Sequence, residues 1–342
     1  MTDSLPAGAA FPQLELPEPI TDALPFEELR AAWAELHAAS PSATPFAHPA
    51  WVDCWLRTLG ADADPVFLAV RLDGELVGVG AFDCRGSAAR ALGDPNLSDY
   101  PPLLAAAGRE LAFAVGVLEW MREDLVRSLE LWGIAESSPL RAAFAAASES
   151  LGWRAREERE SVAPVAGLDG GWEAFLGRLG KHDRHELRRK IRNFERAGAA
   201  AYGEVVEPDA VEAELDVLLR LMRASHEGKA RFLDPDRERF FRASAAAMAR
   251  AGLLRLGILR LDGAEAAAVL CFDDGRATYL YNSGYDPALR RLAPGIVSKG
   301  LAIRAAAERG RERFDFLRGD EEYKARLGGA AVPLLRLSLE AV

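Results

Sequence analysis

Leu254-Arg255-Leu256-Gly257-Ile258-Leu259-Arg260-Leu261 runs into Asp262-Gly263-Ala264 and out through Glu265-Ala266-Ala267-Ala268-Val269-Leu270-Cys271-Phe272. Two apolar runs joined by Asp-Gly predict a β-hairpin, because a tight turn matching the strands' twist needs positive φ at its central residues. The pattern occurs once more: Val66 to Leu72, then Asp73-Gly74-Glu75, then Leu76 to Phe82. Helical sequence precedes each hairpin, Phe26 to Leu59 in one half and Val211 to Ala251 in the other. Further strand, a helix (Ala105 to Met121; Gly295 to Glu308) and a last strand (Leu129 to Trp132; Arg313 to Leu317) follow each. Two Asp-Gly hairpins can coincide by chance, but agreement in order and spacing favours a tandem repeat of one mixed α/β unit. The reading is an α/β (α+β) chain of two such units, each a mixed, mostly antiparallel sheet flanked by helices. A flexible N-terminal segment over 1–25, a first unit over 26–165 and a second over 166–342 are expected, with the boundary where Gly167, Gly170 and Gly171 cluster.

A length of 342 residues suits two domains, and 49% hydrophobic with 27% charged residues describes a soluble globular chain expected in the cytoplasm. The longest apolar stretch, Leu103 to Trp120, is broken by Arg109 and Glu110, so membrane insertion is not expected. Residues 1–25 have no Lys or Arg and carry five prolines, unlike a signal peptide. Cys54, Cys84 and Cys271 lie far apart and make no ligand pair. Charge is lopsided: residues 1–165 hold 12 Lys and Arg against 25 Asp and Glu, a net of −13, while the remainder holds 30 against 27. All five lysines (Lys181, Lys190, Lys229, Lys299, Lys324) fall in the second half. A polyanionic partner would meet that half, and the acidic first half argues against DNA as a partner.

Three stretches can carry chemistry. Lys181 to Arg196 reads as an amphipathic helix with Leu187, Ile191 and Phe194 on its core face. Arg184, Arg188, Arg192 and Arg196 repeat every fourth residue, and residues 178–196 hold eight positive against three negative side chains. Forked guanidinium groups suit phosphate, so Lys181, Arg184, Arg188 and Arg192 are candidate anion binders; docking of the stripe on the acidic first half is the equal alternative. His182 and His185 find no third ligand, so no metal is expected. After the strand Ala277 to Tyr281, the segment Asn282 to Pro287 reads as a turn, followed by Arg290, Arg291, Pro294-Gly295 and a helix starting near Ile296, with Ser298 and Lys299 in it. Free backbone N–H groups at such a helix start suit a pyrophosphate, although capping alone also explains Pro-Gly. Last, Arg313-Phe314-Asp315-Phe316-Leu317-Arg318-Gly319-Asp320-Glu321-Glu322-Tyr323-Lys324 is a short strand entering a turn loaded with ionisable groups, the place where α/β folds keep their chemistry.

With these residues in view, the chain resembles the GNAT superfamily of acyltransferases, and within it the tandem-domain branch of CelD-like acetyltransferases and FemAB peptidyltransferases. The matching residues are the Lys181 to Arg192 helix start, Tyr285-Asp286, Pro294-Gly295, and Phe314 to Asp320 closed by Tyr323-Lys324, with Asp99-Tyr100-Pro101 in the first half. The resemblance implies two GNAT-like domains, an acyl donor (most simply acetyl-CoA), and transfer to a small amine, a sugar or a cell-envelope or polysaccharide precursor. Arg291-Leu292-Ala293-Pro294-Gly295-Ile296 departs from the family's pyrophosphate loop by its Pro and Ile, which leaves aminoacyl-tRNA open as the donor. The expected donor contacts are Arg290, Arg291, Gly295, Ile296, Ser298 and Lys299. For the reaction, Asp320 or Asp315 is the expected base, Tyr323 or Tyr285 the acid and Lys324 an anion holder, with His226 lining the acceptor site. Each has an ordinary alternative: Asp315 capping a turn, Tyr323 packing, Lys324 pairing with Glu321, His226 in a solvated loop. A non-catalytic module gripping a nucleotide-sugar or sugar-phosphate on the arginine stripe is the third reading of function.

Overall fold

Both Asp-Gly turns take the backbone their residues allow: φ is 53° at Asp73 and 83° at Gly74, 51° at Asp262 and 83° at Gly263. The computed structural model describes residues 16–342. The first half contains β1 (Ile20–Ala23), α1 (Phe26–Ala39), α2 (Pro49–Thr58), β2 (Pro65–Leu72), β3 (Glu75–Arg85), β4 (Ala88–Ala91), β5 (Leu103–Ala105), α3 (Glu110–Glu123), β6 (Ser128–Ala135), α4 (Pro139–Leu151) and β7 (Trp153–Gly167). The second contains α5 (Gly171–Arg178), α6 (Lys181–Arg196), β8 (Ala200–Val205), α7 (Pro208–Ser225), α8 (Glu227–Phe232), α9 (Pro235–Arg250), β9 (Leu254–Leu261), β10 (Ala264–Asp273), β11 (Ala277–Tyr285), α10 (Pro294–Glu308), β12 (Arg313–Asp315), α11 (Glu322–Arg326) and β13 (Ala330–Ala341).

One continuous sheet runs β1-β2-β3-β4-β6-β13-β7-β12-β11-β10-β9-β8, with β5 beside β3. Its pairs are antiparallel except β4 with β6 and β11 with β12. Each half ends in helix then strand, α4 to β7 and α11 to β13, and these two last strands are traded. β13 sits between β6 and β7, and β7 reaches on to β12. The halves also share a core: α2 packs on α9, with Trp51 edge-on to Phe240 at 5.0 Å and to Phe272 at 5.6 Å. Aromatic contacts of this geometry add about 0.5–1.5 kcal/mol each beyond burial.

Several sequence expectations change. Asn282 to Tyr285 is not a turn but the second half of β11, held by antiparallel pairing with Ala267 to Leu270; the turn begins at Asp286. Ile20 to Ala23 pairs with β2 as an edge strand where a flexible lead-in was expected, and residues 1–15 of that segment lie outside the described residues. Pro45 and Pro49 divide the first helical stretch, and His226 and Pro235 divide the second. α6 begins and ends where the periodicity places it, but its cationic stripe does not dock on the first half. Its apolar face packs on α10 through Leu187 and Ile191, and Arg188 pairs with Glu173 of α5 at 2.8 Å. Among the described residues no helix is long and apolar enough to cross a membrane.

Candidate functional site

β11 and β12 run parallel for only three residue pairs, Ala277 with Arg313 to Tyr279 with Asp315. Beyond that point β11 follows β10 to Tyr285, while the chain leaving β12 turns sharply at Leu317 (φ 58°). A gap at the carboxyl ends of parallel strands exposes unpaired backbone, and it is where open sheets of this kind take ligands. Gly284 decides what covers the gap. A Cβ there would lie 2.3 Å from the Met222 nitrogen, so only glycine lets the backbone of α7 rest on β11. α7 therefore ends directly above the cleft, where His226 caps α8 by accepting the Gly228 N–H at Nδ1, 2.9 Å.

Two chambers occupy the gap. One, of about 430 Å³, opens on the first turn of α10 and is lined by Ser225, His226, Tyr285, Arg290, Gly295, Ile296 and Lys299 among others. Its neighbour, about 340 Å³, is walled by Asn96, Leu97 and Asp99 of the first half and by Phe241, Asn282 and Arg318 of the second. Lys229, Ser283, Glu321 and Tyr323 line both and form the waist between them.

The waist is built from three lysines, Lys299 and Lys324 buried and Lys229 half-buried. Lys299 is 7% exposed; its Nζ donates to the Gly295 carbonyl (3.0 Å) and lies 4.9 Å from the Tyr323 ring centre. Burial, then the neighbouring Lys229, pushes its ammonium down to about 7. Lys229 donates to Asn282 Oδ1 (3.1 Å) and to the Ser283 carbonyl, and burial lowers it to about 8 despite Glu321. Lys324 is 2% exposed and donates to the carbonyls of Leu317 (3.0 Å), Arg318 (2.7 Å) and Gly319 (3.3 Å), while Glu321 Oε2 sits 2.8 Å from its Nζ. Burial alone would raise the Glu321 carboxyl, but the Lys324 hydrogen bond, a backbone hydrogen bond and the charges of Lys324 and Lys229 together outweigh it and hold the group below its ordinary value. Lys324 thus clamps the strained turn after β12 and is satisfied by protein groups.

Of the residues expected from sequence, Arg290, Gly295, Ile296, Lys299, Tyr285, Tyr323 and His226 come together in the first chamber. Lys324 lines the second. Arg291 and Ser298 line neither; Ser298 is buried, with its hydroxyl donating to the Gly295 carbonyl at 3.3 Å. Asp320 is exposed and lines neither chamber. Asp315 turns away from both: its Oδ1 accepts the Leu317 N–H (2.7 Å), its Oδ2 the Tyr100 hydroxyl (2.7 Å), and burial raises its carboxyl. It faces a separate cavity of about 380 Å³ between the halves. Lys181, Arg184, Arg188 and Arg192 lie on α6 outside both chambers, with His182 and His185 exposed beside them. Lys229, Ser283, Glu321 and Asp99 have no assigned role in the sequence reading. For Lys229 the signal is lysine itself: in a chain with 42 Lys and Arg only five are Lys, and three of those line this cleft, Lys299 and Lys324 buried and Lys229 half-buried; for Asp99 it is the Asp99-Tyr100-Pro101 segment. A buried amine can lose its proton near neutrality, which a guanidinium cannot.

The acetyltransferase (GNAT) domain family matches residues 181–325, a span that contains α6, α7, the second hairpin, α10, β12 and α11. No curated protein matches the sequence. Among solved structures, the fold is similar to that of FemX (TM-score 0.67, 12% identity, covering 92% of this chain and 96% of that one). It is also similar to a conserved protein of unknown function from Bacteroides thetaiotaomicron (0.62, 12%, covering 94% and 99%). A tandem GNAT protein from the clavulanic acid biosynthesis pathway aligns over 95% of this chain and 99% of its own, with 16% identity and a TM-score of 0.50. Residues 181–325 therefore match the GNAT domain family, in a chain whose fold is similar to that of a tandem GNAT protein.

Proposed function

We propose that this protein is an acyl-CoA-dependent acyltransferase, most simply an acetyltransferase, acting on the amine or hydroxyl of a small molecule, a sugar or an envelope precursor. One observation carries the reading: two chambers meet at a waist, and the first opens on a helix start flanked by cations. The first chamber fits an anionic donor. Pro294 and Gly295 open α10 with no acidic side chain in the first turn, and Arg290, Lys229 and Lys299 add positive charge. The floor is shaped as well, since a Cβ on Gly295 would lie 3.1 Å from the Tyr285 ring.

The donor supplies the acyl carbonyl, held at the waist. Asn282, Ser283 and the lysines fix the polar end of that waist. Tyr285 and Tyr323 line the first chamber, where a departing thiolate needs a proton. Burial, with Glu321 next, raises the Tyr323 hydroxyl, so it stays protonated at neutral pH and able to donate. Isothermal calorimetry with acetyl-CoA tests the reading. Micromolar binding that weakens about tenfold or more in Lys299→Met supports it; absence of binding to acetyl- and longer acyl-CoAs rejects it.

Aminoacyl-tRNA as donor is the second reading, favoured by the exposed arginines of α6 on the same domain. It requires activity that ribonuclease abolishes and CoA does not affect.

A further inference from the structure

We propose that Asp99, a residue of the first half, is the catalytic base that takes the acceptor's proton in the second chamber. The inference rests on the acyl-transfer reading above and names the group that reading lacks.

Four carboxyls are near enough to compete. Asp315 has both oxygens engaged and faces the other cavity. Asp320 is exposed and lines neither chamber. Glu321 is held ionised by Lys324 at 2.8 Å, which makes it a weak base. Asp99 differs from all three. It lines the acceptor chamber, its side chain is 16% exposed, and only Oδ1 is engaged, accepting the Arg318 N–H at 2.9 Å with Arg318 Nε at 4.0 Å. Among the described residues Oδ2 has no hydrogen-bond partner. The groups facing it are Arg318, whose guanidinium also meets Glu160 at 3.4 Å, then Asp315, Lys324 and Tyr281. Burial raises the carboxyl to about 6, opposed by Arg318 and Lys324. Such a group is ionised at neutral pH and accepts a proton readily.

In the step, the acceptor nitrogen or oxygen bonds to the donor's carbonyl carbon and the carbon–sulfur bond breaks. The nucleophile's proton passes to Asp99 Oδ2, and the thiolate takes one from the first chamber. The first half thus completes the second half's site.

Two measurements test this. Thiol release from acetyl-CoA, with water as the acceptor, is followed from pH 5 to 8.5 in wild type, Asp99→Asn and Asp320→Asn. Asp99→Asn is expected to lower turnover at least about a hundredfold with an unchanged KM for acetyl-CoA. It should also abolish the fall in rate below pH 6. Full turnover in Asp99→Asn, or loss of the acid limb in Asp320→Asn instead, overturns the proposal. Carboxyl 13C NMR of aspartate-labelled protein, with the signal identified by its loss in Asp99→Asn, decides where water is too poor an acceptor. A midpoint near 6 that rises further in Arg318→Met supports the assignment, and an ordinary carboxylate midpoint overturns it. Failure of acetyl-CoA to bind by calorimetry rejects the donor reading alone and leaves the carboxyl titration to judge Asp99.

Discussion

The two halves put the same elements to opposite use. In each, a parallel pair three residues long opens beside a helix: β4 and β6 beside α3, β11 and β12 beside α10. In the first half Leu92 is buried beside the opening, Trp132 donates to the Ala91 carbonyl at 2.9 Å, α3 starts with the carboxylate of Glu110, and the space of about 380 Å³ that remains by Tyr100 and Gly133 has no lysine in its lining. In the second the opening is a cleft, α10 has no acid in its first turn, and three lysines replace the packing. The lesson is that topology supplies a gap and the side chains decide whether it becomes core or site. The first half still contributes: its segment 95–99 is the far wall of the acceptor chamber, and Tyr100 anchors Asp315.

The sharpest way to break this contrast is Lys324→Met. Three carbonyls lose their donor and Glu321 loses its partner, which costs about 3 kcal/mol, the lower end for a buried pair because Glu321 is half-exposed. Acyl transfer should fall at least about a hundredfold, since the turn at Leu317 no longer holds its strained backbone. Thermal unfolding and turnover check both; unchanged turnover would show that the clamp does not shape the site.

Tyr100→Phe tests the bond between halves. It removes the hydroxyl that donates to Asp315 Oδ2, and leaving that buried oxygen unpaired costs about 1–3 kcal/mol. Urea unfolding should show a lower midpoint with the slope unchanged. Because β7 and β13 are traded, the two halves should still unfold in one transition.

The stability–pH curve sharpens the picture of Asp99. Its folded value of about 6 lies above the unfolded one, so the folded state holds the proton more tightly. Stability is full below about pH 4 and declines as pH rises to about 6, by up to roughly 3 kcal/mol. Asp99→Asn should therefore raise the melting temperature at pH 7.5 and leave it unchanged near pH 4. Equal effects at both pH values would contradict the raised carboxyl.

Much of this contrast was legible in sequence. Asp-Gly at 73–74 and 262–263 encodes positive φ locally, and the spacing of Leu187, Ile191 and Phe194 encodes a buried helix face, so hairpins and α6 needed no tertiary knowledge. β7 was missed because Arg154 to Arg159 is exposed on both faces and shows no alternation. Its pairing with β13 depends on residues more than 160 positions away. Asn282 to Tyr285 reads as a turn from its polar and glycine content, yet those residues are chosen for a strand that must admit α7 and face a cleft. Asp320 looks reactive in sequence and is exposed in space; Asp99 stands in sequence only as part of the Asp99-Tyr100-Pro101 resemblance, with no role, and is brought to the site by the first half's wall.

The finest distinction lies between neighbours in sequence. Arg290 lines the donor chamber and Arg291, one residue on in the same 3-10 turn, does not. Sequence alone treats them alike. Arg290→Ala should weaken acetyl-CoA binding about tenfold, about 1.4 kcal/mol, because its charge sits beside the α10 start with Lys299. Arg291→Ala should change it less than twofold, since an exposed charge that does not line the chamber acts only through solvent and is screened by salt. Calorimetry at 50 and 300 mM salt separates the cases. A contact inside the chamber keeps part of its effect at high salt, whereas a general attraction to the +3 half fades equally for both arginines. Equal losses in the two variants would mean that the cleft reads the field of the whole domain, and that the difference between the halves is one of charge rather than of a shaped site.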